Sequence, residues 1–94
     1  MELDELEATT FEPHAGDRFA LDAAGISFVL EEVTTLAARP DGRDPFSLIF
    51  RGPSEPVLPQ AIYRLEHDAL GALEIFIVPL GVDAGGTRYE AIFT

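Results

Sequence analysis

The sequence predicts an all-β fold, a small antiparallel barrel or sandwich of about six strands, with at most short helical turns near the N-terminus. Two observations carry that expectation. From Pro45 to Thr94 the chain runs as four short apolar segments, Phe46–Phe50, Ile62–Leu65, Leu73–Pro79 and Tyr89–Phe93, rich in the β-branched and aromatic residues that suit a half-buried pleated surface. Gly and Pro punctuate the chain at intervals of about 8–12 residues, the turn spacing of sandwiches and barrels.

Each element can be placed in order. Residues 1–10 form an acidic arm, in which Leu3 and Leu6 support no more than a marginal helical turn. Residues 11–94 form the single β domain. Thr9-Thr10-Phe11-Glu12-Pro13-His14-Ala15-Gly16 has a hydroxyl cap, an early Pro and a terminating Gly, which fit one helical turn. Phe19 and Leu21 share one face of a strand, and Ala23-Ala24-Gly25 turns it into a second strand with Ile26, Phe28 and Leu30 on one face. The adjacent Glu31 and Glu32 interrupt that alternation before Val33, as a β-bulge or an edge would. Ala37–Pro45 is a polar surface loop with an Asp-Gly turn pair.

Phe46, Leu48 and Phe50 then alternate with Ser47, Ile49 and Arg51, so the Phe/Leu face points to the core. Pro53, Pro56 and Pro59 remove backbone donors and exclude a central strand, while Val57 and Leu58 anchor the segment across one end of the sheet. Ala61–His67, Leu73–Pro79 and Arg88–Phe93 are the remaining strands. The last two are expected to pair with Ile77 near Ala91, so that odd-numbered residues share a face. Leu73–Pro79 is apolar on both faces near its end and is the candidate for a doubly buried central strand. The expected core is Phe19, Ile26, Phe28, Leu30, Phe46, Leu48, Phe50, Leu65, Ile75, Ile77 and Phe93.

Ninety-four residues make one domain, and a hydrophobic fraction of 47% with seven Phe is ample for its core. Without Cys there is no disulfide, thiolate site or thiol nucleophile. Six Arg and no Lys stand against seventeen acids, for a net charge of -11. Such a surface repels phosphate backbones and anionic membranes, so neither a nucleic acid nor a membrane is an expected partner. A basic protein partner or a salt-rich habitat would use the charge, although solubility alone accounts for it more simply. The acidic first residues do not resemble a signal peptide, and no run reaches the ~18 apolar residues of a membrane span. The expected location is cytoplasmic or particle-associated.

From Pro45 onward, Phe46-Ser-Leu-Ile-Phe-Arg-Gly-Pro, Leu58-Pro-Gln, Ile62-Tyr-Arg-Leu-Glu-His, Leu70-Gly, Ile75-Phe-Ile-Val-Pro and Tyr89-Glu-Ala-Ile-Phe follow in an order that resembles a family of small uncharacterised bacterial β domains. Members of that family tend to occur beside phage-tail-collar-like, microcystin-dependent-type proteins. The resemblance implies an accessory or structural component of a tail-like assembly, and it brings no activity.

Reactive side chains do not gather among the four segments from Pro45 to Thr94. His67 lies between Glu66 and Asp68, but neighbours on a strand point to opposite faces, so the three cannot converge on one ion. Its expected role is to stabilise the turn that follows, and loss of both His14 and His67 is expected to leave folding nearly intact. No nucleophile-elbow pattern surrounds any Ser. The Asp41-Gly-Arg-Asp44 and Asp83-Ala-Gly-Gly loops match no calcium motif. No catalytic residue, cofactor or metal is expected.

The function that remains is a noncatalytic structural or adaptor module binding a protein partner. Phe76, Val78 and Ile92 are the candidate contact, with Ile49 as a further apolar residue opposite the core. A homo-oligomer formed through a sheet edge or apolar face is the other partnership the pattern allows. The alternative is a small-ligand-binding barrel or an enzyme, with Tyr63, Arg64, His67 and Tyr89 lining its mouth.

Overall fold

The computed structural model describes residues 6–21, 25–37 and 44–93. The elements are a helical turn α1 (Ala8–Phe11), a 3-10 turn (Glu12–His14), and six strands: β1 (Arg18–Leu21), β2 (Ser27–Thr35), β3 (Phe46–Gly52), β4 (Ala61–His67), β5 (Gly71–Asp83) and β6 (Gly86–Phe93). The strands close into an antiparallel barrel in the order β1-β2-β3-β6-β5-β4. No helix among the described residues is long and apolar enough to cross a membrane.

Alternation decides which face of each strand turns inward. Phe19, Phe28, Leu30, Phe46, Leu48, Phe50, Leu65, Ile75, Ile77, Tyr89 and Ala91 are all buried in one core. Ile26 and Phe93 pack against it partly buried. The β5–β6 ladder ends at Val78–Glu90. That is one residue short of the expected Ile77–Ala91 pair; Ile77 and Ala91 are both buried. The bulge expected at Glu31 is present: Leu30 pairs with Phe50 and Glu32 with Ile49, leaving Glu31 as the extra residue.

Aromatic side chains fill both ends of the barrel. At one end Phe46 and Phe93, directly paired across β3 and β6, stack with centroids 4.6 Å apart. Phe11 from α1 covers them at 5.9 and 5.8 Å. At the other end Phe28 stacks on Tyr89 at 4.6 Å. The Pro-rich segment after β3 is pinned over that end by two hydrogen bonds. The Leu58 N–H donates to Tyr89 Oη at 3.0 Å, and Thr87 Oγ1 donates to the Pro53 carbonyl at 2.8 Å.

Several expectations need correction. The arm placed over residues 1–10 joins the fold at Leu6, because Leu6 and Ala8 are buried with Phe11 in the core; residues 1–5 lie outside the described residues. The strand buried on both faces is β3, not β5: Ser47 and Ile49 face away from the core yet are 7% and 5% exposed, whereas Phe76 on β5 is 51% exposed. Ile49 is therefore not available as a surface contact. Leu58 anchors the Pro-rich segment as expected, but Val57 is exposed. Ala23 and Ala24 of the first hairpin turn, and most of the Ala37–Pro45 loop, including Asp41, lie outside the described residues.

Two kinds of substitution test this packing. Phe50→Ala and Phe46→Ala should each cost about 3–5 kcal/mol in urea unfolding, as expected for buried aromatics. Gly86→Ala should cost about 1–3 kcal/mol or more. Gly86 has φ +116°, and a Cβ there would lie 2.2 Å from the Gly52 carbonyl oxygen. A loss under ~0.5 kcal/mol for Gly86→Ala would show that the β3–β6 approach is looser than described.

Candidate functional site

The outer surface of β4, β5 and β6 carries an apolar row. Even-numbered residues point outward on β4, on β5 up to Val78 and on β6 from Arg88 onward, and Ile62 on β4 pairs directly with Phe76 on β5. Carrying the Val78–Glu90 register two residues past the end of the ladder brings Phe76 level with Ile92 on β6. Ile62, Phe76 and Ile92 are 67%, 51% and 57% exposed. Val78, the third predicted contact residue, is half-buried beside them. Ile62 belongs to the same row and was missed from sequence; its pairing to Phe76 becomes visible only once the β4–β5 register is known.

The four residues predicted to line a pocket do not converge. Arg64 points outward, with its Nε 3.7 Å from Glu66 Oε1. Tyr63 faces the opposite side of β4 and donates its hydroxyl hydrogen to the Pro59 carbonyl. Tyr89 is fully buried and holds the Leu58 amide. His67 lies at the far end of β4 from Tyr63, engaged with Asp17.

That engagement is the main polar feature the sequence did not reveal. His14, Asp17 and His67 come together with one potential ligand atom each, all within 4.8 Å of one another. Asp17 Oδ2 lies 2.9 Å from both His14 Nδ1 and His67 Nε2, and the two rings meet edge to face at 4.5 Å. His67 Nδ1 accepts the N–H groups of Ala69 (3.0 Å) and Leu70 (3.1 Å), which is the turn-stabilising role expected for it.

These bonds dictate the protons. Because Nδ1 of His67 accepts, its hydrogen sits on Nε2 and is donated to Asp17. Asp17 likewise receives the Nδ1 hydrogen of His14. A metal on His67 Nε2 would need that lone pair, moving the hydrogen to Nδ1 against two backbone donors. The arrangement therefore works as a latch between the N-terminal turn and the barrel wall, and a metal on His67 Nε2 would displace the hydrogen bonds that Nδ1 accepts from Ala69 and Leu70. The Asp17 carboxyl is held below its ordinary value of 3.8, first by the hydrogen bond from His67 and then by that from His14.

A second polar group ties down the β5–β6 hairpin. Arg51 Nε and Nη2 donate to the two carboxylate oxygens of Glu31, at 2.9 and 3.3 Å, and Nη1 donates to Asp83 Oδ1. The bulge places Glu31 for this contact. Asp83 also accepts the Gly85 N–H at 2.8 Å, the first cause of its lowered pKa, ahead of Arg51. Asp83 is thus committed to turn chemistry and an ion pair.

Residues 6–93 match the family model described as a domain of unknown function, DUF6916. The chain belongs to that family. No curated protein and no solved structure matches it. The match includes Leu6, Ala8 and Phe11, which are buried in the core of this DUF6916 domain.

The latch makes two testable statements about the DUF6916 domain. With both histidines neutral, the ¹⁵N–¹H spectrum should show the proton of His67 on Nε2 and that of His14 on Nδ1; equimolar zinc should leave both patterns unchanged. In contrast to the expectation that both histidines are dispensable, His67→Ala should destabilise by about 1–3 kcal/mol, since it strands two turn amides and the Asp17 contact. The pH dependence has a definite sign. Asp17 has a lower pKa folded than unfolded, so its contribution is complete above about pH 4 and is lost as pH falls through the lower folded value. The stability difference between wild type and Asp17→Asn should therefore hold steady from about pH 5 to 4 and shrink below that.

Proposed function

We propose that this domain is a noncatalytic structural or adaptor module that docks on a protein partner through the outer face of β4, β5 and β6. The observation that carries the reading is the exposed row Ile62–Phe76–Ile92 on adjacent strands, flanked by half-buried Val78. The barrel interior, by contrast, is occupied by the rings of Phe19, Phe28, Phe50 and Tyr89, in contact with one another.

Edge pairing is the weaker route to a partner. Closure of the barrel gives each strand two neighbours. β5 extends past Ala61, the first residue of β4, so that Val78–Asp83 pairs with β6 alone. That stretch carries Pro79, which has no N–H to offer, and a register irregularity between Pro79 and Gly81. Both features blunt an edge and leave side-chain recognition as the better supported mode.

The resemblance to domains encoded beside phage-tail-collar-like proteins extends the proposal to an accessory role in a phage-tail-like assembly, with a tail-collar-like protein as partner. Co-expression with such a neighbouring protein tests it. Phe76→Asp and Ile92→Asp should each abolish co-purification while unfolding free energies in urea stay within about 0.5 kcal/mol of wild type. Unfolding of either variant would make the face core, and retained binding by both folded variants would remove it as the contact.

A further inference from the structure

We infer that the occupant of the β4–β6 face is a basic protein segment, with apolar side chains at its centre and Lys or Arg at its flanks. This rests on the reading of that face as a docking surface and adds the chemistry of what docks. The β4–β5 register sets Ile62 beside Phe76, with Arg64 on the diagonal and Glu74 and Val78 along Phe76's own strand; on the other side the ladder ends at Val78–Glu90, and its register continued past that end brings Ile92 level with Phe76 and Glu90 onto the diagonal. Arg64 is the one cation of this group, and it lies against Glu66 and pairs in register with Glu74. Among the described residues, no cation comes within ion-pair distance of Glu74 or Glu90.

A partner that covers Phe76 takes water from these carboxylates, and a buried carboxylate without a cation is costly. The partner must therefore bring positive charge to the rim of an apolar contact. A second copy of this chain fits poorly. Docking face to face, it would set Glu74 and Glu90 of one copy against those of the other, in molecules that each carry -11. An anionic lipid surface fits no better for the same reason.

The test uses three synthetic amphipathic peptides and the ¹⁵N-labelled domain. One has a Leu/Phe face flanked by Lys, the second has the same face flanked by Glu, and the third has the Lys residues with Ser in place of the apolar face. The Lys-flanked apolar peptide should shift the resonances of Ile62, Phe76 and Ile92, and its affinity should fall at least ~10-fold when salt rises from about 50 to 200 mM. Glu74→Gln with Glu90→Gln should weaken it by a similar factor at low salt, and Phe76→Asp should abolish the localised shifts.

Equal binding of the Lys- and Glu-flanked peptides at this face would overturn the basic partner while leaving the docking surface standing. If none of the three peptides shifts the face, or the Lys/Ser peptide matches the Lys-flanked apolar one with shifts spread over all acidic residues, both readings fail. Dimerisation in sedimentation velocity that Phe76→Asp abolishes would assign the face to a second copy and overturn the inference.

Discussion

The structure depends on how the barrel is closed between β1 and β4. Among the described residues that seam holds two residue pairs, Ala20–Glu66 and Leu21–Leu65. One step further in the same register Phe19 comes level with His67, and there side chains take over from the backbone ladder. The Phe19 ring lies 4.6 Å from the His67 ring, and His67 Nε2 donates to Asp17 at 2.9 Å. The latch thus continues the seam beyond those two pairs on the Phe19 side. It also fastens the turn containing His14, and with it Phe11, over the end of the core. One carboxylate joins barrel closure to end-capping, so weakening it loosens two structures at once.

The opposite end solves the same problem with different chemistry. A barrel of this size is filled by its own side chains, but its mouths expose backbone and ring edges unless something crosses them. Here the Pro-rich segment crosses, giving up donors that a strand would need and using the Leu58 amide and the Pro53 carbonyl for hydrogen bonds to Tyr89 and Thr87. Gly52 permits the approach: a Cβ there would sit 2.9 Å from the Phe28 ring that stacks on Tyr89.

What could be read from the sequence was local in origin. Phe46, Leu48 and Phe50 show their face through alternation alone, Glu31-Glu32 marks the bulge by breaking it, and Pro53, Pro56 and Pro59 exclude a strand through covalent geometry. The unread features come from contacts far apart in the chain. His67 and Asp17 are 50 residues apart, and only the β1–β4 pairing brings them together. Leu6, Ala8 and Phe11 are spaced between acids in a segment too short for a periodic signal, so their burial depends on the open barrel end they cover. The double burial of β3 could not be seen either, because Ile49 on β3 and Phe76 on β5 carry the same alternating pattern and differ only in what lies outside them.

That difference separates the residues that build the core from those left outside it. Core formation uses one face of β5, through Leu73, Ile75 and Ile77, and the latch and the plugs act at the barrel ends. Phe76 and Ile92 belong to none of these contacts and remain more than half exposed. Closure takes up most of the backbone hydrogen-bonding capacity that an open sheet would present at its edges, and Pro79 blunts the stretch of β5 that outruns β4. On the docking face proposed above, recognition would then come from side chains standing on a rigid wall, with the apolar residues supplying contact area and Glu74 and Glu90 selecting the charge of what covers them. Substitution at these outward positions would change that face without disturbing the interior that holds the barrel closed.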